Sequence, residues 1–214
     1  MKIALACPAY LWKNAEVLAV IPPPIATPAA IVVPMSTSSI PSVPFYSQFK
    51  DIRSPQWQKV GCGITSLAMV IDYYTPNAVS VDALLNQGIA AGAYEQNVGW
   101  IYAGLISLSQ KYGLNGAYHD LSKLDAQTAF DQFKNYVKSG PVILSVHYKF
   151  DPKSTIPHLV VIDAVSDGTV YYNDPAAKSG EKQIPVADFL KGWKRKVIVI
   201  RPADKSGAIA SITQ

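Results

Sequence analysis

From Val43 onward the apolar residues recur at intervals that predict packed elements. Between residues 63 and 74 they fall at Ile64, Leu67, Ala68, Ile71 and Tyr74. That i, i+3, i+4, i+7 spacing predicts a helix with one buried face and Cys62 at its N-terminus. Residues 100–112 repeat the pattern and stop at Gly113, and residues 126–138 predict a third helix closed by Ser139-Gly140-Pro141. The texture then changes. Residues 142–148, 158–165, 169–173 and 197–201 are short runs rich in β-branched and aromatic side chains, which read as strands. A helical part followed by an antiparallel sheet is an α+β layout.

Residues 1–40 have a different character, because Pro22, Pro23, Pro24, Pro28 and Pro34 interrupt each apolar run. Neither a regular helix nor a central strand persists through such spacing, so 1–40 reads as an extended linker or pro-segment. Residues 41–203 form the domain and 204–214 a tail. Ala4-Leu5-Ala6-Cys7 faintly resembles a lipoprotein cleavage box, but Pro8 ends the apolar run early, leaving at most a remnant of an export signal. Secretion or the cell envelope is the favoured location, and the cytoplasm is equally compatible with a free thiol. No segment reaches the roughly 18 uninterrupted apolar residues of a membrane span.

At 214 residues, with 49% hydrophobic and 16% charged positions, the chain suits one globular domain, expected to be a monomer. The net charge of +4 is mild, and the basic cluster at residues 191–196 reads as a solvated face, so no nucleic acid partner is expected. Two cysteines, Cys7 and Cys62, make no disulfide framework, and no Cys/His grouping has the spacing of a zinc site. No metal or cofactor is expected.

Gly61-Cys62-Gly63 directly before a helix is chemically suggestive, since unpaired N–H groups and the positive end of the helix dipole stabilise a thiolate. The flanking glycines leave room for a substrate backbone, although glycines before a helix also serve simple turns. A cysteine nucleophile needs a base, and only His119, His147 and His158 are available. His119 lies in a polar stretch and reads as a loop residue; His147, late in a strand, is the reserve candidate. His158 opens a strand after the loop 151–157, where a strand end can present a side chain to a cleft. Trp100 is read as a core residue. Val165-Ser166-Asp167-Gly168-Thr169 predicts a three-residue hairpin loop with Gly168 left-handed, which sets Asp174 opposite Val160 and diagonal to His158 on one face. A two-residue loop would put the two side chains on opposite faces. Asn173-Asp174-Pro175 is also a common turn sequence. Gln48 is a candidate oxyanion donor upstream of Cys62, although a lone glutamine is no signal by itself.

Taken in order, Val43-Pro44 with Gln48, Gly61-Cys62-Gly63 with Ser66-Leu67-Ala68-Met69, His158-Leu159-Val160-Val161 and Asn173-Asp174-Pro175 resemble the C39-like cysteine peptidase family. Gly140-Pro141-Val142 and Asp188-Phe189-Leu190 with Trp193 extend the resemblance over roughly residues 43–201. It implies a papain-like fold, with Cys62 as nucleophile, His158 as base, Asp174 as its orienter and Gln48 in the oxyanion hole. It also implies metal-free thiol peptidase activity on a peptide or protein substrate. Segment 1–40 lies outside it, and there is no membrane-spanning part like that of the bacteriocin-processing members. The same triad would serve an acyl or peptidyl transferase, and the same fold a non-catalytic binding module; thiol-reactive labelling of Cys62 separates the last from the enzymes.

Overall fold

The computed structural model describes residues 42–203 except 97. The expected linker or pro-segment 1–40, Cys7 within it, and the tail 204–214 lie outside the described residues. A single turn, α1 (Pro55–Gln58), begins on proline, whose missing N–H costs nothing at a helix start. It leads into α2 (Cys62–Tyr74), in which every residue from Gly63 to Ile71 is buried. The predicted helix is therefore present but covered all round, as its unbroken run of apolar and small residues allows. Helix α3 (Val81–Ala90) starts at Ser80, whose Oγ accepts the Ala83 N–H at 3.2 Å.

A small hairpin, β1 (Tyr94–Glu95) with β2 (Gly99–Trp100), precedes α4 (Tyr102–Ser109). One tighter turn, Gln110–Tyr112, extends α4 to Gly113, which ends it in the left-handed region at φ 72°. Strand β3 (Leu114–Asp120) comes next. His119, expected in a loop, lies in this strand and stacks on Tyr136 with 4.6 Å between ring centroids. Helix α5 (Ala126–Lys138) has the expected bounds; Asp125 caps it by accepting the Thr128 N–H at 2.9 Å.

The remaining strands are β4 (Val142–His147), β5 (Pro157–Ser166), β6 (Thr169–Asn173), β7 (Lys182–Pro185) and, after helix α6 (Val186–Gly192), β8 (Trp193–Pro202). With β3 they form a six-stranded antiparallel sheet in the order β3-β8-β4-β5-β6-β7. β3, from the helical half, thus closes one edge of the sheet beside the last strand. One core lies between α2, α3 and α4 and the sheet face bearing Ile143, Leu159 and Val161. The other core gathers Phe133, Phe189 and Trp193 against Leu144, Val160 and Ile162 on the opposite face. Within the basic cluster, Gly192 and Trp193 are buried, and Arg195 Nη1 donates to the Leu124 carbonyl at 2.8 Å, so that stretch is only partly a solvated face.

The β5–β6 hairpin corrects one expectation. Its loop has two residues, not three: Ser166 pairs with Thr169, and Asp167 and Gly168 both take positive φ (49° and 73°), as a type I′ turn requires. Ala164 pairs with Tyr171, but the next pair is Ile162 with Tyr172, which leaves Asp163 as a bulge. From there Val161 faces Asn173, and the ladder carried one residue further sets Asp174 opposite Val160. The face assignment expected from a longer loop is reached by a short loop plus a bulge.

Candidate active site

Cys62 is the first residue of α2, so its thiol sits where backbone N–H groups are unpaired and the helix dipole is positive. The glycines on either side are there for packing. A Cβ at Gly61 would collide with the Ile52 side chain, and one at Gly63 would lie 2.7 Å from the Trp100 ring. That ring is buried at 7% exposure, donates its indole N–H to the Val60 carbonyl at 2.7 Å, and also forms part of the cleft wall.

His158 comes from the start of β5 and Asp174 from the loop just beyond β6. The imidazole Nε2 is 2.7 Å from Asp174 Oδ1, and that oxygen also accepts the Ala176 N–H at 2.8 Å. Burial, the largest influence on His158, would push its pKa down. The hydrogen bond to Asp174, together with the hydrogen bonding and charge of Cys62, outweighs it and raises the imidazole to about 9. For Asp174 burial again acts first, upward, yet the hydrogen bond and charge of His158 and the Ala176 N–H hold the carboxyl below its ordinary value. A charged imidazolium at His158, beside the Asp174 carboxylate, is therefore the favoured state. Tyr148 stands edge-on to the imidazole, with ring centroids 5.3 Å apart. The other two histidines do not line the cleft: His147 Nδ1 is bonded to the Ser154 carbonyl at 2.7 Å, and His119 lies on β3.

Gln48 shares the cleft with Cys62 and His158. It is 4% exposed, its Nε2 donates to the Gln58 carbonyl at 2.7 Å, and its Oε1 has no partner among the described residues. The Gln58 side chain in turn donates to the carbonyls of Phe49 and Ile52 at 3.2 and 2.7 Å, fixing the loop that carries Gln48. The Gln48 N–H donates to the Pro175 carbonyl at 2.9 Å, and Ser47 Oγ to the Ala177 carbonyl at 3.0 Å. The segment bearing Gln48 is thereby buckled to the loop bearing Asp174.

The cleft encloses about 450 Å³. Phe49, Val98 and Ile156 rim it, and all three are among the exposed large apolar residues of the described chain, at 49%, 64% and 57%. Sequence reasoning missed them, along with Tyr148 and Gln58. An exposed apolar residue in a loop leaves no periodic trace, and Tyr148 meets His158 only through the pairing of β4 with β5. Among the described residues no cluster of three or more His, Cys, Asp or Glu is arranged to hold a metal ion, and no helix is long and apolar enough to cross a membrane.

The profile of the Peptidase_C39 like family matches residues 40–197 of this chain. No curated protein is significantly similar in sequence. Among solved structures, a double glycine motif protease from an AMS/PCAT transporter, in complex with the leader peptide, is similar with a TM-score of 0.54 and 23% identity, over 78% of this chain and 96% of that one. A protein from Bacillus anthracis assigned as a C39-like peptidase gives 0.54 and 20% over 74% and 94% of the two chains. The peptidase domain of Streptococcus ComA, a bi-functional ABC transporter involved in a quorum sensing pathway, gives 0.51 and 20% over 67% and 93%. At these identities the likeness is one of fold.

Proposed function

Because the chain belongs to the Peptidase_C39 like family, whose solved neighbours share its papain-like fold, we propose that it is a cysteine peptidase acting through Cys62, His158, Asp174 and Gln48. The observation that carries the reading is that His158, bonded to Asp174 at 2.7 Å, lines one cleft with Cys62 at a helix N-terminus.

In this reading the Cys62 thiolate attacks a peptide carbonyl carbon. The developing oxyanion is met by the Cys62 backbone N–H and the second Nε2 proton of Gln48, the first being held by the Gln58 carbonyl. Imidazolium His158 gives its proton to the leaving amine as the C–N bond breaks, and a thioester to Cys62 remains. Neutral His158 then takes a proton from water, whose oxygen adds to the thioester carbon. Collapse expels the thiolate and releases the acid. Asp174 keeps the ring oriented and its charged form favoured throughout. The substrate is a peptide with apolar side chains against the exposed Phe49, Val98 and Ile156 of the cleft rim, and that it is a peptide accords with the leader peptide in complex with the similar transporter protease.

The test is cleavage of a peptide library by the purified chain, read by mass spectrometry, beside Cys62→Ala. Loss of all cleavage in Cys62→Ala with the fold intact supports the peptidase. Full retention of cleavage refutes it, and products joined to an added amine in place of water would assign a transferase.

A further inference from the structure

A two-residue turn between β5 and β6, carried on without interruption, would set Asp174 opposite Val161 and so on the other face of the sheet from His158. The residue that prevents this is Asp163, inserted between the pairs Ile162–Tyr172 and Ala164–Tyr171. A bulge in mid-strand is not dictated by the turn and must be fixed by contacts of its own. Asp163 is 7% exposed, and its Oδ2 accepts from Asn173 Nδ2 at 3.1 Å. Asn173 is fully buried and is the residue before Asp174. The same Nδ2 donates to the Val43 carbonyl at 3.1 Å, and its Oδ1 accepts the Glu181 N–H at 2.9 Å. The bulge, the segment leading to Gln48 and the loop holding Asp174 therefore meet at one side-chain amide.

A carboxyl is a costly group to bury there. Burial above all, opposed by the Asn173 hydrogen bond and reinforced by the charge of Glu181, lifts its pKa to about 8. An apolar residue would pack at lower cost but would offer Asn173 no acceptor.

We propose that Asp163 is a positioning residue: by accepting the Asn173 amide it fixes the bulge in β5, and with it the sheet face on which Asp174 meets His158. The inference builds on the proposed role of that pair, but the anchoring concerns geometry and can be read without catalysis.

The test is an NMR titration of His158 in the full chain, with peptide cleavage measured alongside, for wild type, Asp163→Ala, Asp163→Asn and deletion of residue 163. The deletion leaves every observed β5–β6 pair in place with no bulge to anchor. Asp163→Ala should move the His158 midpoint from about 9 toward 6.5 and lower kcat/KM about tenfold or more. Asp163→Asn, which keeps the acceptor, and the deletion should both hold the wild-type midpoint. An unchanged midpoint in folded Asp163→Ala, or a lowered one in Asp163→Asn, overturns the inference. If Asp163→Ala does not fold, the deletion decides: folded with the wild-type midpoint it supports the inference, and unfolded or with a low midpoint it overturns it. Expected midpoints in a chain that cleaves no peptide would sink the peptidase reading alone.

Discussion

His158 Nε2 lies 2.7 Å from Asp174 Oδ1, and the two side chains are only 5% and 14% exposed. With Nε2 so engaged, Nδ1 is the ring nitrogen left for Cys62, and the carboxylate fixes which way the ring faces. Asp174→Ala removes one of the two partners, with Cys62 the other, that raise the imidazole to about 9. A rate that needs imidazolium to protonate the leaving amine should then fall off at lower pH. The expected result is kcat/KM about 10²-fold lower or more, with the alkaline limb of the pH–rate profile moved toward 6.5. A limb that stays near 9 would show that Asp174 does not govern the base.

The same pair makes folding depend on pH, with a definite sign. His158 binds its proton more tightly folded than unfolded, so its contribution is complete below pH 6.5 and is lost as pH rises through about 9. Asp174 is shifted the other way, and its contribution is lost only in acid, as pH falls through its depressed value. Asp174→Asn should therefore cost most near pH 6, on the order of 3 kcal/mol. The gap in melting temperature from wild type should narrow steadily by pH 10. Calorimetry across that range checks it, and a gap that widens in alkali contradicts the assignment.

Gln48→Ala should leave KM nearly unchanged and lower kcat by about 10²–10³-fold, the effect of removing one preorganised oxyanion donor. Gln58→Ala tests the support beneath it, because its side chain pins the carbonyls of Phe49 and Ile52 while its backbone carbonyl, which holds Gln48 Nε2, remains. A smaller loss of kcat than for Gln48→Ala is expected. Steady-state kinetics on one peptide suffice; a loss confined to KM in Gln48→Ala would remove it from the oxyanion site.

How far the sequence shows this site depends on the range of the interactions. Cys62 at a helix start was legible because capping and 3.6-residue periodicity are local, and α5 ran to its predicted ends for the same reason. The partnership of His158 with Asp174 was legible through parity alone, and only because two departures cancelled. Asp167-Gly168 makes a tighter turn than expected, and Asp163 adds the residue that the turn omits. Nothing local marks a bulge at Asp163, since its anchor is Asn173 on the neighbouring strand. β3 was missed because Gly116 and its polar neighbours lack a strand pattern; pairing with β8 along its whole length supplies what propensity does not.

Gly192 bears on the cleft from outside it. A Cβ there would lie 2.5 Å from both the Cα and the carbonyl oxygen of Phe150, backbone atoms that cannot turn aside. Lys149 and Phe150 already hold positive φ, at 57° and 56°, in the loop that presents Tyr148 and Ile156 to the cleft. Gly192→Ala should cost about 1–3 kcal/mol and raise KM as that wall shifts. Cys62 alkylation by iodoacetamide should stay near the wild-type rate, because the thiol and its helix are untouched. Denaturation, kinetics and alkylation separate these effects, and wild-type KM in a destabilised variant would show that the loop does not form the substrate wall.

Asp163→Asn separates the charge of the bulge residue from its hydrogen bond. A carboxyl whose pKa is raised from 3.8 to about 8 holds its proton more tightly folded than unfolded, so between those values wild type loses stability as pH rises. Asparagine has no such proton, is nearly the same size, and can offer its Oδ1 to Asn173 Nδ2. The variant should match wild type near pH 4 and become more stable as pH rises, by on the order of 5 kcal/mol at pH 8, with the gain levelling off about a unit above that. Urea denaturation at three pH values reads this directly. A variant that is less stable at pH 8 would mean that Asp163 is held as an ion by a partner its surroundings do not show, and that the carboxylate charge, more than the acceptor, keeps the bulge in place.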